Sequence, residues 1–423
     1  MTTGILLRGG CILTLGTKTQ NLKRGDVLIE DGRIAEVGTS VRGRDAEVVD
    51  ATDAIVMPGF VDTHRHAWTS LFRNAGDIAE VSPEVLGEHY RPEDVYAATL
   101  IGLLGAIEAG ITTVVDVLDL PLRDGFAEAA LQAHADSGVR TVFAFAAREA
   151  AGDMVDRLSG AAGPGTTFAL VSDGFGDGWT GARDRGLRVF VHARPTLSVR
   201  GDVARAASEG LLSGEVTLVH HTALDDSDLD AIVGSGACVS LTPSSEMATG
   251  FGSPPIQELI DRGVKPGLGI DREGMAPGDM FAQMRQTISL QHATVFDRKL
   301  AGKAGLPRLM TTRDVIRFAT SEGARVAGVR EVTGSLEPGL QADIIVLRTD
   351  RPNVWPINDP IGAVVWGMDT SNIDHVFVGG RPVMRSGVLA ADVARARSLA
   401  TGARGHVTAA AGIVARAVTG ATR

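Results

Sequence analysis

Apolar segments of strand length alternate with helix-length segments through the middle of the chain. Strands that are apolar along their whole length and are separated by helices form a parallel sheet covered on both faces. Eight such units predict a (β/α)8 barrel. An open sheet of six or seven strands is the alternative, because periodicity alone does not show closure. The eight strand candidates are 60–66, 111–117, 139–145, 166–172, 187–193, 216–220, 237–241 and 264–270.

The two chain ends have a different pattern, in which short strands flank tight turns. LIEDGRIAEVG alternates apolar and polar residues around Asp31-Gly32, and HVFVGGRPVM repeats this design around Gly379-Gly380. Both are hairpin signals. We therefore expect one small β-sandwich domain built from both ends. The predicted division is 1–56 and 334–390 for the sandwich, 57–333 for the barrel, and 391–423 for a helical C-terminal extension.

Composition narrows the class of protein. The 423 residues are 44% hydrophobic and 22% charged, which is typical of a globular chain and excludes general disorder. The net charge of −10 argues against nucleic acid or an anionic membrane as a partner. Cys11 and Cys238 are too few for a disulfide scaffold, so a cytoplasmic location is expected. The N-terminus lacks a signal-peptide layout, and no apolar run is long enough to predict a membrane span.

Polar side chains collect where the predicted strands end, which is where barrel enzymes place their active sites. Asp271 follows the eighth strand, and histidines end the first, fifth and sixth. His64 and His66 are two residues apart, so an extended strand turns both to one face. Three histidines and a carboxylate suit Zn²⁺ or Fe²⁺. Singly, each has an ordinary explanation, such as a helix N-cap for Asp271. The histidines at strand ends are His64, His66, His192, His220 and His221.

Several motifs resemble the amidohydrolase superfamily, in the branch of cytosine deaminase, S-adenosylhomocysteine deaminase and triazine hydrolase. The resemblance covers residues 1 to about 390. It implies that one metal ion is held by His64, His66, His192 and Asp271, and that His220 contacts the metal-bound water. The matching segments are MPGFVDTHRH (57–66), His192, LVH (218–220), TPSS (242–245), GLGID (267–271) and GSLEPGLQAD (334–343).

Some residues depart from the deaminase pattern. Deaminases of this branch carry a glutamate three residues after the fifth-strand histidine, and this glutamate shuttles a proton to a ring nitrogen of the substrate. This chain has Pro195 at that position. Leu241 and Glu246 replace a histidine and an asparagine around the seventh-strand motif, and Ile270 replaces a threonine before Asp271. The absence of the glutamate at Pro195 favours hydrolysis of a cyclic amide or another heterocycle over aromatic deamination.

The positions of the lysines in the sequence indicate how many metal ions the site holds. Many amidohydrolases bridge two metals through a carboxylated lysine on the fourth strand. The five lysines, at 18, 23, 265, 299 and 303, include none at the carboxyl end of a predicted strand. Asp173 could bridge instead, but it suits a turn better. We expect a single divalent ion, with zinc favoured over iron.

The expected mechanism uses a metal-bound hydroxide. Asp271 would take the water's proton and pass it to the leaving group, and His220 would polarise the water or stabilise the oxyanion. Candidate substrate-binding residues are Trp68, Glu246, His221 and Asp116. Glu246 is also a candidate for the acid that protonates a substrate ring nitrogen, a role for which Asp116 and Asp119 are weaker candidates. Each has a structural alternative: packing for Trp68, a solvated loop for Glu246, and the opposite strand face for His221.

The sequence therefore predicts a metal-dependent hydrolase that acts on a C–N bond of a small nitrogen heterocycle or cyclic amide, by deamination or ring opening. Dechlorination of the triazine type is one alternative, and a non-catalytic barrel that binds a small ligand is another. The expected partner is a small-molecule substrate, and a homo-oligomer is the family-based expectation.

Overall fold

Strands and helices alternate along most of the chain, with strands alone near its two ends. The computed structural model describes residues 4–43, 45–74, 83–120, 123–146, 151–176, 179, 182, 184–193, 199–274 and 276–412. The strands are β1 Ile5–Ile12, β2 Leu22–Glu30, β3 Arg33–Gly38, β4 Glu47–Asp50, β5 Ala54–Pro58, β6 Phe60–Arg65, β7 Ile111–Leu118, β8 Arg140–Ala146, β9 Thr166–Asp173, β10 Arg188–His192, β11 Val216–Val219, β12 Cys238–Leu241, β13 Gly267–Leu268, β14 Ile344–Arg348, β15 Ile373–Val378, β16 Arg381–Arg385 and β17 Val388–Leu389. The helices are α1 Pro83–Gly87, α2 Pro92–Glu108, α3 Phe126–Ser137, α4 Ala151–Ser159, α5 Asp202–Ser208, α6 Asp226–Ser235, α7 Pro243–Ala248, α8 Ile256–Asp261, α9 Met280–Leu300, α10 Thr312–Phe318, α11 Ser321–Val326, α12 Pro360–Gly362 and α13 Val393–Ala410.

Strands β6 to β13 form one parallel sheet in chain order, and each begins or ends within about three residues of its predicted position. The sheet closes on itself at its carboxyl end. His64 carbonyl accepts from the amides of Ile270 and Asp271 at 3.0 and 2.8 Å, and the His66 amide donates to the Asp271 carbonyl at 3.0 Å. The predicted (β/α)8 barrel is confirmed, and the open-sheet alternative is wrong.

The eighth barrel strand is much shorter than predicted, and the glycines in and after it let β6 approach closely. A Cβ on Gly269 would lie 2.9 Å from atoms of His64, and one on Gly267 would lie 2.6 Å from Thr63 Cγ2. The same approach brings the residue after β13 beside the end of β6. Asp271 therefore meets the two histidines of β6 at the carboxyl end of the barrel, which we call the barrel mouth.

The two chain ends form a nine-stranded mixed sheet beside the barrel. Strand β14 runs antiparallel to β5, which joins the C-terminal strands to the N-terminal ones. The Ile34 amide of β3 donates to the Leu340 carbonyl at 2.9 Å, so the far edge of the sheet curls back to the segment before β14. Apolar side chains of Leu7, Val27 and Phe377 belong to the core that the sheet encloses. A small sheet domain built from both ends is confirmed.

The domain bounds stay a prediction. Strand β5 continues pairing with β14 to Pro58, two residues past the proposed limit at 56. Helix α13 falls inside the proposed C-terminal extension, and its Ala396 packs with Leu100 and Leu104 of α2. Residues 413–423 of that extension lie outside the described part. No described helix is both long enough and apolar enough to cross a bilayer.

An ion pair fastens the barrel to the mixed sheet. Arg140 at the start of β8 donates to both carboxylate oxygens of Asp343, at 2.6 and 3.0 Å. Asp343 is fully buried, and its Oδ1 also accepts the Gly379 amide at 2.7 Å. A buried carboxylate with these bonds is satisfied, and losing its cationic partner would leave a costly buried charge.

Candidate functional site

Five polar side chains converge at the barrel mouth. They come from the ends of four strands: His64 and His66 from β6, His192 as the last residue of β10, His220 just after β11, and Asp271 just after β13. All five are at least nine-tenths buried. Residues up to about 200 positions apart are therefore brought to one point by the parallel order of the strands.

The distances within this cluster are short. Asp271 Oδ1 lies 3.4 Å from Nε2 of both His64 and His66. The His64 ring centroid is 4.6 Å from that of His192 and 5.0 Å from that of His220. Candidate ligand atoms lie within 4.8 Å of one another in two overlapping groups, one of His64, His66 and His192, and one of His64, His220 and Asp271. One ion could contact members of both groups.

The hydrogen bonding of the cluster fits a bound cation. Neither ring nitrogen of His64 has a hydrogen-bond partner among the described residues, and Nε2 of His192 has none either. Buried polar atoms are ordinarily satisfied, so an orphaned group of this kind calls for an explanation. Imidazole nitrogens and a carboxylate oxygen are ligands that Zn²⁺ accepts. The residues present therefore fit a divalent ion held by nitrogen and oxygen.

Burial sets the protonation of the cluster. It lowers the pKa of His64 to about 3 and that of His192 well below its usual value, which keeps both imidazoles neutral. Burial acts to raise the pKa of Asp271, but His64 and His220 outweigh it and hold that pKa well below the usual range. A neutral imidazole and an ionised carboxylate are the forms that bind metal.

Asp119, the residue that follows β7, contacts one histidine of the cluster. Its Oδ1 lies 3.1 Å from His66 Nδ1 and accepts from Trp68 Nε1 at 2.7 Å. Burial acts to lower the pKa of His66, but the Asp119 carboxylate outweighs it and raises that pKa. A carboxylate on the far nitrogen of a ligating histidine fixes its orientation. Asp119, a weaker candidate in the sequence, is therefore placed to direct His66 Nε2 into the cluster.

Trp68 is buried in the core and bonded to Asp119. It is 2% exposed, and its ring meets Tyr90 edge-on at 5.7 Å. The structure gives it a partner in Asp119 and a place in the core, which agrees with the packing alternative. A direct contact between Trp68 and a substrate is not supported by this position.

Asp116 is the candidate that the structure separates from the cluster. Its Oδ1 accepts the Ala67 amide at 2.9 Å, and its Oδ2 lies 2.7 Å from His134 Nε2 on α3. The His134 ring continues to Thr141 Oγ1 at 2.7 Å. Alternation along β7 turns this carboxylate outward to the helix layer, so both of its oxygens are used by the protein itself.

Arg65 forms a buried clamp that the sequence did not identify. Its guanidinium donates to Asp62 Oδ2 at 2.7 Å and to Glu273 Oε1 at 2.6 Å. Asp62 Oδ1 in turn accepts the amides of His64 and Ile270, at 3.2 and 3.0 Å. We call Asp62, Arg65 and Glu273 the β6 clamp. It ties the strand that carries two histidines to the segment that carries Asp271.

His220 and its neighbours line another side of the mouth. Its Nδ1 lies 3.1 Å from Thr242 Oγ1 and 3.4 Å from Glu246 Oε1, and its ring stacks on Phe251 with centroids 4.4 Å apart. Glu246 is fully buried, so the solvated-loop alternative for this residue is wrong. Its carboxylate lies behind His220 and not in open contact with the mouth.

A cavity of about 180 Å³ opens beside His192. Its lining includes Asp173, Phe175 and His221, and the last two rings lie 5.6 Å apart. Burial lowers the pKa of His221 to about 4, and its Nδ1 lies 3.1 Å from the Val219 carbonyl. His221 thus faces a cavity next to the cluster. Pro195, which stands where a glutamate was expected, lies outside the described residues.

A protein-family model and several known proteins match most of this chain. A model of the amidohydrolase family matches residues 55–383. A 5'-deoxyadenosine deaminase of Methanothermobacter thermautotrophicus is 28% identical, over 91% of this chain and 94% of its own length. A 5-methylthioadenosine/S-adenosylhomocysteine deaminase of Pelotomaculum thermopropionicum is 27% identical, over 90% of this chain and 93% of its own.

Solved structures share the fold. An adenosine deaminase from Xanthomonas campestris with bound zinc has a TM-score of 0.81 at 20% identity, covering 96% of this chain and 99% of its own. An atrazine chlorohydrolase from Arthrobacter aurescens in complex with zinc has a TM-score of 0.79 at 20% identity, covering 95% and 100%. At this identity the likeness establishes the barrel and the mixed sheet together, and nothing finer.

Proposed function

This chain belongs to the amidohydrolase family, and from that premise we propose that it removes an amino group from a nitrogen heterocycle by hydrolysis at the barrel mouth. The family is that of the amidohydrolases, and the two relatives are named as deaminases, which agrees with hydrolytic cleavage of a non-peptide C–N bond. The observation that carries the proposal is the buried cluster of His64, His66, His192 and Asp271, in which ring nitrogens of His64 and His192 have no hydrogen-bond partner among the described residues.

These four residues are the proposed ligands of one divalent ion, with zinc favoured over iron. Two similar folds contain zinc, and the ligand atoms here are nitrogen and carboxylate oxygen. The chemistry that such an ion would supply is a lowered pKa of water at the site, and with it a nucleophile near neutral pH. The described lysines place no ε-amino group in the cluster, which supports a single ion.

Asp271 and His220 are the residues proposed to act on the attacking water. Asp271 accepts a proton from the attacking water and delivers it to the departing nitrogen, so that water adds to the ring carbon, the C–N bond breaks and ammonia leaves. Ser245 Oγ donates to Asp271 Oδ2 and holds that carboxylate in place. His220 Nε2, 4.0 Å from the same oxygen, is placed to accept a hydrogen bond from the attacking water and so to polarise it.

The proposed substrate class is an aminopurine nucleoside. The relatives named as deaminases of 5'-deoxyadenosine, methylthioadenosine and S-adenosylhomocysteine align over nine-tenths of this chain. The cavity beside His192, with the Phe175 and His221 rings in its lining, offers aromatic surface for a flat base. Ring opening of a cyclic amide is the second candidate, favoured by Pro195 in place of the glutamate that protonates a ring nitrogen.

The test is ammonia release by the zinc-loaded protein from 5'-deoxyadenosine, adenosine and methylthioadenosine, beside ring opening of dihydrouracil. Turnover of an aminopurine nucleoside that is lost in Asp271→Asn supports the proposal. Ring opening without ammonia release would contradict it in favour of the second candidate. Ligand binding without turnover of either kind would favour the non-catalytic alternative.

The proposal also covers the cellular location and the oligomeric state of the protein. Cys11 and Cys238 are both free thiols, which agrees with a cytoplasmic location. A homo-oligomer remains the family-based expectation. Light scattering after size-exclusion chromatography would measure the oligomeric state directly.

A further inference from the structure

Glu246 is a buried carboxylate with an incomplete set of partners. It is fully buried in the first turn of α7, and its Oε1 accepts the Thr242 amide at 3.2 Å. Oε2 has no hydrogen-bond partner among the described residues. A buried carboxylate is expensive unless it is paired. The group that it faces is the His220 ring, whose Nδ1 is 3.4 Å from Oε1.

The His220 ring is held on several sides by the segment that contains Glu246. Phe251 stacks on it at an interplanar angle of 24°, and the Phe251 amide donates to the Glu246 carbonyl at 3.0 Å. Thr242 Oγ1 lies 3.1 Å from His220 Nδ1. The ring therefore has little freedom to turn, and its two nitrogens face different surroundings.

We propose that Glu246 is a positioning residue that selects the tautomer of His220. Glu246 Oε1 already accepts the Thr242 amide and is therefore an acceptor oxygen, so the Nδ1 that faces it carries the proton. Nε2 is then the bare nitrogen, and it points to the reacting atoms beside Asp271. The hydroxyl of Thr242 can donate or accept, so it follows the tautomer and does not set it. The inference rests on the proposed function of His220 at the barrel mouth.

This role differs from that expected of a substrate-facing acid. The family pattern has an asparagine at the position of Glu246, and the sequence left open whether Glu246 protonates a substrate nitrogen. Its complete burial behind His220 removes it from direct reach of the mouth. Glu246 acts through His220 and is not itself a catalytic residue.

A direct test reads the tautomer without any assay of turnover. Nitrogen-15 spectra of histidine-labelled, zinc-loaded protein report whether each ring nitrogen is protonated, and the His220 signals are assigned by their loss in His220→Asn. We expect a protonated Nδ1 and a bare Nε2, with the Nδ1–H tautomer depleted in Glu246→Gln and Glu246→Asn. The opposite tautomer in the unaltered protein, or one that is unmoved in both variants, would overturn the inference.

A kinetic cycle tests the same coupling. With metal content equal, Glu246→Gln should lower kcat by roughly 10²-fold, since a catalytic histidine in the wrong tautomer loses up to about 10⁴. In a His220→Ala background the same change should cost less than about twofold. Glu258→Gln on α8, a half-exposed glutamate, is the matched control.

Equal losses in both backgrounds would overturn the inference. Absence of turnover in the unaltered protein would instead refute the proposed function and leave the spectra to decide the tautomer.

Discussion

His220 and Asp271 face each other across the barrel mouth, with Nε2 of the histidine 4.0 Å from Oδ2 of the aspartate. Both hold a left-handed backbone conformation, with φ of 61° and 66°. Few non-glycine residues adopt this region, and such strain collects at functional sites. Both residues follow the last residue of a barrel strand, so the backbone leaves the barrel by a turn at each of them.

His220 should be needed for turnover and dispensable for metal binding. His220→Ala is expected to lower kcat by about 10²- to 10³-fold, because it removes the hydrogen-bond acceptor that polarises the attacking water. Metal content, measured by atomic emission, should stay as in the unaltered protein. Turnover at the original rate would remove His220 from the mechanism.

Asp119 should govern metal affinity from outside the ligand set. Asp119→Ala is expected to weaken zinc binding by about 10- to 100-fold, since the histidine loses the carboxylate that orients it. Competition with a chromophoric chelator measures the change. Asp124→Ala, an exposed aspartate near the same strand end, should leave the affinity unaltered. An unchanged affinity in Asp119→Ala would show that His66 does not depend on this partner.

Removing the metal should abolish activity reversibly. The neutral His64 and His192 need a cation on their unpartnered nitrogens, so dialysis against a chelator is expected to stop turnover and one equivalent of Zn²⁺ to restore it. His192→Asn should not be rescued in this way. Metal analysis near two tightly bound ions per chain would contradict the single-ion site.

The Arg140–Asp343 pair should stabilise the attachment of the mixed sheet to the barrel. Asp343→Ala is expected to reduce stability by about 3–5 kcal/mol, because it leaves a buried guanidinium without its partner. Thermal unfolding monitored by circular dichroism measures the loss as a lower Tm. The exposed pair of Glu47 and Arg385 is the control, and Glu47→Gln should cost less than about 1 kcal/mol. Equal shifts in the two variants would contradict this difference in burial.

His221 should make the protein less stable in mild acid. Its pKa is about 4 in the folded protein and about 6.5 when exposed, so between these values the unfolded chain binds a proton that the folded chain does not. Stability is then lost as pH falls, by about 2 kcal/mol between pH 7 and pH 5. His221→Asn keeps a side-chain donor for the Val219 carbonyl and does not titrate. Its Tm should therefore fall less than that of the unaltered protein, and parallel falls would contradict the assignment.

Much of the architecture could be predicted from local patterns. The barrel strands were placed because buried parallel strands are apolar along their length, and that signal needs only neighbouring residues. The hairpins around Asp31-Gly32 and Gly379-Gly380 likewise depend on two-residue turns. The grouping of His64, His66, His192 and Asp271 followed once the strand ends were known, since parallel strands end at one edge of the sheet.

The partners of those side chains were beyond the reach of the sequence. Periodicity shows which face of a strand is buried, and it does not show which residue lies opposite from a distant part of the chain. Arg65 meets Glu273, and Asp116 turns to His134 and away from the mouth, because barrel closure and strand register decide these contacts. Glu246 came to lie behind His220 for the same reason. The sequence by itself determined the strands and the types of side chain that lie at their ends. The closure of the barrel determined how each of these side chains is paired, oriented and removed from water.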